Sequence, residues 1–147
     1  MVDNVASIRS AFAAFAQGDM DTLKEVFAAE IVWHEPGRST VSGDYRGIDA
    51  TLAFFGDLFE RSAGTFKAEL VECGEIAPNV VTCLINVSGE VASGALDQRS
   101  VLVFRQRAGR TVEVHNFSSD QYAQDTFWGM AAITLPDARK AAKPVKS

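Results

Sequence analysis

Trp33, His34, Glu35 and Tyr45 fall in one stretch whose other residues interrupt regular structure. An imidazole and a carboxylate beside aromatic rings are the materials of proton transfer. Histidine titrates near neutrality and both gives and takes a proton. Pro36 cannot donate a backbone hydrogen bond and biases Glu35 toward extended geometry. Gly37, Gly43 and Gly47 permit the positive φ of sharp turns. The spacing predicts a strand through residues 31–34 that ends abruptly, with His34 near its mouth.

A second acid sits late in the chain. Alternation counted from Val112 puts Val114, Asn116, Ser118 and Asp120 on one face of a strand, and His115 and Phe117 on the other. Abstracting a proton beside a carbonyl needs a base in reach and a donor for the developing enolate. Asp120 is the first candidate for the base and His34 for its proton partner, with Tyr45 and Asn116 as polarising donors. Trp33 and Trp128 would shape the pocket or its rim, and Gln98 is a further candidate for contact with substrate. Each has a structural alternative. Asp120 followed by Gln121-Tyr122-Ala123 suits a helix N-cap, His34 could pin the Pro36-Gly37 turn, and Tyr45 could pack beneath the 43–47 loop. His115, on the opposite face, is expected in packing or a subunit contact.

Other chemistries find little support. Two histidines far apart in sequence, without HExxH or clustered His/Asp spacing, predict no metal site. GxSxG is absent, which removes the usual frame for a nucleophilic serine, and no glycine loop has phosphate-binding spacing. No cofactor is expected. A net charge of −5 without a basic run argues against nucleic acid. The start lacks a secretory pattern, and no segment approaches the length of a membrane span. A soluble, cytoplasmic protein with reduced cysteines at 73 and 83 is the expectation.

The elements that must hold these groups read in order. Val5, Ile8, Phe12 and Phe15 recur at helical spacing, with Asp3 or Asn4 to cap and Gly18 to end the helix. Asp19 opens a short second helix with Leu23, Val26 and Phe27 on its buried side. Asp49 opens a third, through about Arg61. Beyond it the period becomes two: a strand from Phe66, a turn at Ala77-Pro78-Asn79 that sets Cys73 opposite Cys83, and a central strand from Val80 to Val87. A connection bracketed by Gly89 and Gly94 leads to a strand over 100–105, a tight turn at Ala108-Gly109, and a strand over 111–117. Asp120 begins a short helical turn, and residues 138–147 read as a fraying tail. With 147 residues and 47% hydrophobic composition the chain can bury a real core. Helices followed by consecutive strands predict an α+β fold, a curved sheet over three helices that leaves a cone-shaped pocket for a small hydrophobic ligand. The sheet's other face is expected to meet a second subunit in a homodimer.

Trp33-His34-x-Pro36-Gly37, Ser42-Gly43-x-Tyr45-x-Gly47, and Asp120-x-Tyr122 followed by Phe127-Trp128 resemble the SnoaL-like branch of the NTF2-like superfamily. The resemblance covers about residues 5–130 within one domain placed at 1–137. It implies a curved antiparallel or mixed sheet wrapped over the N-terminal helices. It also implies cofactor-independent acid/base chemistry, such as isomerisation, cyclisation or dehydration, on a small hydrophobic molecule bearing a carbonyl or an epoxide. A non-catalytic binding or assembly protein is the alternative, since one fold hosts many functions. In polyketide cyclases of this branch an aspartate near the end of the last strand is the general acid/base, and Asp120 resembles it. Ketosteroid isomerases place an aspartate before a proline in the first strand, where this chain has Glu35 with His34 beside it; either could face the pocket. Their first-helix tyrosine is replaced by Phe12 or Phe15, and their second acid by Gln98 or Ser100, so that oxyanion pair is missing.

Overall fold

A computed structural model describes residues 3–131; the tail expected from 138 and the domain limit at 137 lie outside them. Asp3 accepts a hydrogen bond from Ala6 N at 3.0 Å and caps α1 (Asn4–Gln17), which Gly18 ends in the left-handed conformation. Asp19 caps α2 (Met20–Val26) through Thr22 N. Phe27, expected on the buried side of that helix, instead begins β1 (Phe27–Glu35) and is buried from an extended backbone. A short strand, β2 (Gly43–Arg46), occupies part of the stretch expected to be all turn. It pairs antiparallel with β1, setting Trp33 opposite Tyr45 and His34 opposite Asp44.

α3 (Ile48–Arg61) buries Thr51, Phe54, Phe55 and Leu58. Four strands follow: β3 (Lys67–Ala77), β4 (Val80–Val91), β5 (Gly94–Arg107) and β6 (Arg110–Ser118), then α4 (Gln121–Trp128). The sheet order is β2-β1-β6-β5-β4-β3. β1 runs parallel to β6 and every other pair is antiparallel. This is the α+β cone, with a mixed sheet whose concave face receives the helices.

Two boundaries differ from expectation. The connection between Gly89 and Gly94 is shorter than expected, because β4 continues through Gly89 to Val91 and the chain turns at Ala92-Ser93. Gly89 reads as a breaker but serves close packing: a Cβ there would lie 3.3 Å from Phe66 Cα and 3.4 Å from the Phe127 ring. The turn before β4 has two residues, Pro78 and Asn79, and a bulge between Glu75 and Ala77 restores the register that sets Cys73 opposite Cys83. Both cysteines are free, and burial pushes the Cys83 thiol up to about 12, which leaves it inert.

The core joins both layers. Ile8, Leu23, Ile31, Val81 and Val114 are fully enclosed. Aromatic edges lock helix to sheet: Phe15 meets Phe55 at 5.1 Å between centroids, and Trp33 meets Phe55 at 5.0 Å. Among the described residues, no helix is long and apolar enough to cross a membrane.

The link from β1 to α4 passes through one glycine. Gly37 has φ +93°, and a Cβ on it would collide with the Asp125 carboxylate and the Gln121 amide. Arg38 N donates to Asp125 Oδ2 at 3.0 Å just beside it. Gly37→Ala therefore combines left-handed strain with a displaced α4, and stability should fall by about 1–3 kcal/mol. Urea unfolding measures it; an unchanged midpoint would show that this junction is slack.

Candidate functional site

The helices do not fill the cone. Between them and the concave face lies a cavity with about 660 Å³ of atom-free space, counting the part open to solvent. Its wall is nearly all apolar, built from α1 (Phe12, Phe15), β1 (Phe27, Trp33), α3 (Phe54, Phe55, Leu58), the central strands (Ile85, Val87, Leu102) and Trp128 of α4. Three residues bring polar side chains other than an indole to it: Glu35, Asn116 and Gln124.

Glu35 is buried at the end of β1, and period-two geometry explains why it faces inward. Ile31, Trp33 and Glu35 share the buried face, whereas Val32 and His34 share the other. Its carboxyl is surrounded by neutral donors. Trp33 Nε1 donates to Oε1 at 3.0 Å, Gln124 Nε2 donates to Oε2 at 2.9 Å, and Asn116 Nδ2 reaches both oxygens at 3.3 Å. Among the described residues, no cation joins them. Burial dominates and pushes the Glu35 carboxyl up from 4.5 to about 7, with the nearby Asp125 charge adding to the rise; the three donors pull the other way without cancelling it.

Gln124 is held in turn by Gln98, whose Nε2 donates to Gln124 Oε1 at 3.2 Å and to Ser118 Oγ at 2.6 Å. Gln98 thus stands behind the site rather than on the cavity wall. Asn116 Oδ1 is buried and has no hydrogen-bond partner among the described residues, so it is an acceptor available beside the cavity. Trp33, Trp128 and Asn116 all line the cavity.

The other predicted residues lie elsewhere. Asp120 is exposed and caps α4, its Oδ1 accepting from Ala123 N at 3.0 Å. The chain leaves β6 at Ser118, so the alternation that would have turned Asp120 inward has ended. His34 points to the outer face, with Nδ1 2.7 Å from Asp44 Oδ1 and Nε2 2.9 Å from Glu113 Oε2. Carboxylate oxygens only accept, so an imidazolium satisfies both. Desolvation opposes that charge, but the hydrogen bonds to Asp44 and Glu113 outweigh it and raise the His34 pKa. The expected convergence of His34 and Asp120 on one cavity is therefore corrected. Tyr45 stacks on Phe54 at 4.2 Å and donates to Val41 O at 2.6 Å, buttressing the wall from behind.

The separation of the two histidines in sequence also misled. Parallel pairing of β1 with β6 sets His34 against His115, ring centroids 4.2 Å apart, with Glu113 beside them. Gln124 and Asp125 were missed altogether. Their signal was available in α4, where Gln124 shares a face at i, i+3 and i+4 with Phe127 and Trp128. A polar residue in an apolar stripe marks a buried hydrogen bond.

The sign of the Glu35 linkage follows from its raised pKa. Between about 4.5 and 7 the folded state holds a proton that the unfolded state has released, so stability falls as pH rises through that window. The full effect is on the order of 3 kcal/mol. His34 adds a separate fall above its ordinary value, so the comparison that isolates Glu35 is wild type against Glu35→Gln. Denaturation profiles from pH 5 to 8 should converge at the acid end and part toward pH 8, with the variant the more stable there. Parallel profiles would mean that the carboxyl is solvated.

Comparison with known proteins places this geometry. The family defined by the SnoaL-like domain matches residues 8–114. The uncharacterized protein Rv0034 of Mycobacterium tuberculosis is 30% identical over 121 residues, covering 82% of this chain and 92% of the relative. Bal32a, from a soil-derived mobile gene cassette, superposes with a TM-score of 0.84 at 36% identity, covering 86% of this chain and 96% of that one. A protein of unknown function with a cystatin-like fold from Xanthomonas campestris gives 0.81 at 30% identity, covering 87% and 99%. TerC, co-crystallised with polyporic acid, shares the fold at 16% identity with a TM-score of 0.74, covering 84% and 96%. With its cone, its element order and the family match over residues 8–114, the chain belongs to the SnoaL-like family.

Proposed function

We propose that the cavity takes up a neutral, ring-bearing carbonyl compound and that Glu35 moves a proton on it without a cofactor. The observation that carries this reading is the carboxyl itself: it lines an aromatic cavity, has no cation beside it among the described residues, and is pushed up to about 7. A base poised near the working pH takes a proton and returns it with little loss in either direction. Neutrality of the ligand follows from the wall. Among the described residues the wall carries no cation to pair with a carboxylate or phosphate, and ionised Glu35 would repel either.

The step balances simply. Glu35 removes a proton from the carbon next to the carbonyl, the C–H pair moves into a new C=C bond, and the carbonyl oxygen becomes an enolate oxygen. Once Glu35 is protonated it needs fewer donors. The Asn116 amide, bound to it only by two long contacts of 3.3 Å, is then the group best placed to turn toward that oxygen. Returning the proton at a different carbon gives isomerisation; attack of the enolate carbon on a second carbonyl gives cyclisation.

A carrier for the same class of molecule is the second reading. It is favoured by one feature: Trp33, Asn116 and Gln124 each donate a hydrogen bond to Glu35 rather than being turned toward a ligand oxygen.

Deuterium uptake separates the two. 2-Tetralone and related bicyclic and tricyclic ketones, incubated in D2O with the protein, are followed by proton NMR at the α-carbon. The enzyme reading predicts exchange at least ~10²-fold above background, lost in Glu35→Gln and kept in Asp120→Asn. Background exchange across the panel, or full exchange in Glu35→Gln, would overturn it. Saturable ketone binding without exchange would establish the carrier.

A further inference from the structure

Glu35 and the cavity use the inner face of β1; the outer face carries a second cluster that this chemistry leaves idle. The β1–β6 register sets His34 directly beside His115, with ring planes 18° from parallel. Glu113 lies two residues before His115 on the same face of β6 and brings Oε2 to 2.9 Å from His34 Nε2. One donor atom from each of the three lies within 4.8 Å of the other two. Two imidazoles and one carboxylate form a donor set that zinc accepts at about 2.0–2.2 Å, with the fourth position left to water. His115 is exposed, so its ring is free to turn toward a shared ion.

The surroundings favour coordination over a chance gathering of charges. Asp44 Oδ1 lies 2.7 Å from His34 Nδ1, where it takes the Nδ1–H bond and leaves Nε2 as the ligating atom. A carboxylate on the far nitrogen is the usual orienting partner of a metal-bound histidine. The nearby cations do not compete for the ligating atoms. Arg105 Nε sits 3.8 Å from Glu113 Oε1, leaving Oε2 to the site, and Arg46 lies beyond Asp44, 3.6 Å from its other oxygen. In the metal-free protein a proton on Nε2 occupies the line between His34 and Glu113.

We propose that His34, His115 and Glu113 form a surface site for a divalent transition-metal ion of the zinc class, with Asp44 as the positioning residue for His34. On binding, the Nε2 proton leaves to solvent and the ion takes its place. Magnesium and calcium, which prefer all-oxygen shells, are excluded by the two imidazoles.

The test is calorimetric titration of the untagged chain with zinc chloride, accompanied by NMR of the histidine rings. One ion per chain is expected, with the His34 and His115 ring signals shifting together and no magnesium heat. His115→Ala, a change at an exposed position that leaves the core untouched, should weaken zinc binding at least 10-fold. Asp44→Asn should weaken it ~10–100-fold. Circular dichroism of each variant without metal should match the wild type. Absence of saturable zinc binding, ring signals that stay fixed, or an affinity unmoved in either variant would overturn the assignment.

Discussion

The structure turns on one unfavourable placement: a carboxyl held out of water, met among the described residues by neutral donors and no positive charge. Burying an unpaired charge costs far more than one hydrogen bond returns, so the group stays protonated to higher pH. Glu35 has three neutral donors, enough to keep its orientation fixed and too few to keep it fully ionised at neutrality. The rest of the site follows. Trp33 must present its indole N–H from two residues back on the same strand, Gln124 must come from α4, and Gln98 must hold Gln124. Gly37 lets the chain double back so that α4 can lie there.

β1 carries two opposite solutions on its two faces. Inward, Glu35 has a raised pKa in an apolar cavity; outward, one residue earlier, His34 is surrounded by carboxylates that favour its charged form. The pleat alone separates them. A shift of one residue in register would exchange the two environments, putting an imidazole in the cone and a carboxylate beside Asp44 and Glu113. The β1–β2 ladder, with Trp33 on Tyr45 and His34 on Asp44, fixes that register, and the large apolar face of Trp33 enforces it.

Much of this was legible in the sequence. The stripe of Ile8, Phe12 and Phe15, a first cap at Asp3 or Asn4, the Asp19 cap, the Ala108-Gly109 turn and the opposition of Cys73 and Cys83 were all readable from period and turn chemistry. The choice between His34 and Glu35 was harder. Both sides of β1 offer apolar residues, Val32 on one and Ile31 with Trp33 on the other, so alternation alone did not say which was the inner face. Tertiary packing decides it, because only one side meets α3. Asp120 looked like a strand residue through extrapolated alternation, whereas its capping bond to Ala123 N shows that α4 had already begun. The His34–His115 pair depended on a parallel contact between the first strand and the last, which local pattern does not encode. Gly89 and Gly94 were read as breakers, although Gly89 lies within β4, where a Cβ would crowd Phe66 and Phe127.

The ionisation state of the Glu35 carboxyl can be observed directly. With glutamate labelled by 13C at the δ-carbon, and Glu35→Gln to assign the signal, NMR across the acid-to-neutral range yields the titration midpoint of Glu35 itself. The account predicts a midpoint of about 7. A midpoint near 4.5, the value of an ordinary glutamate, would contradict it.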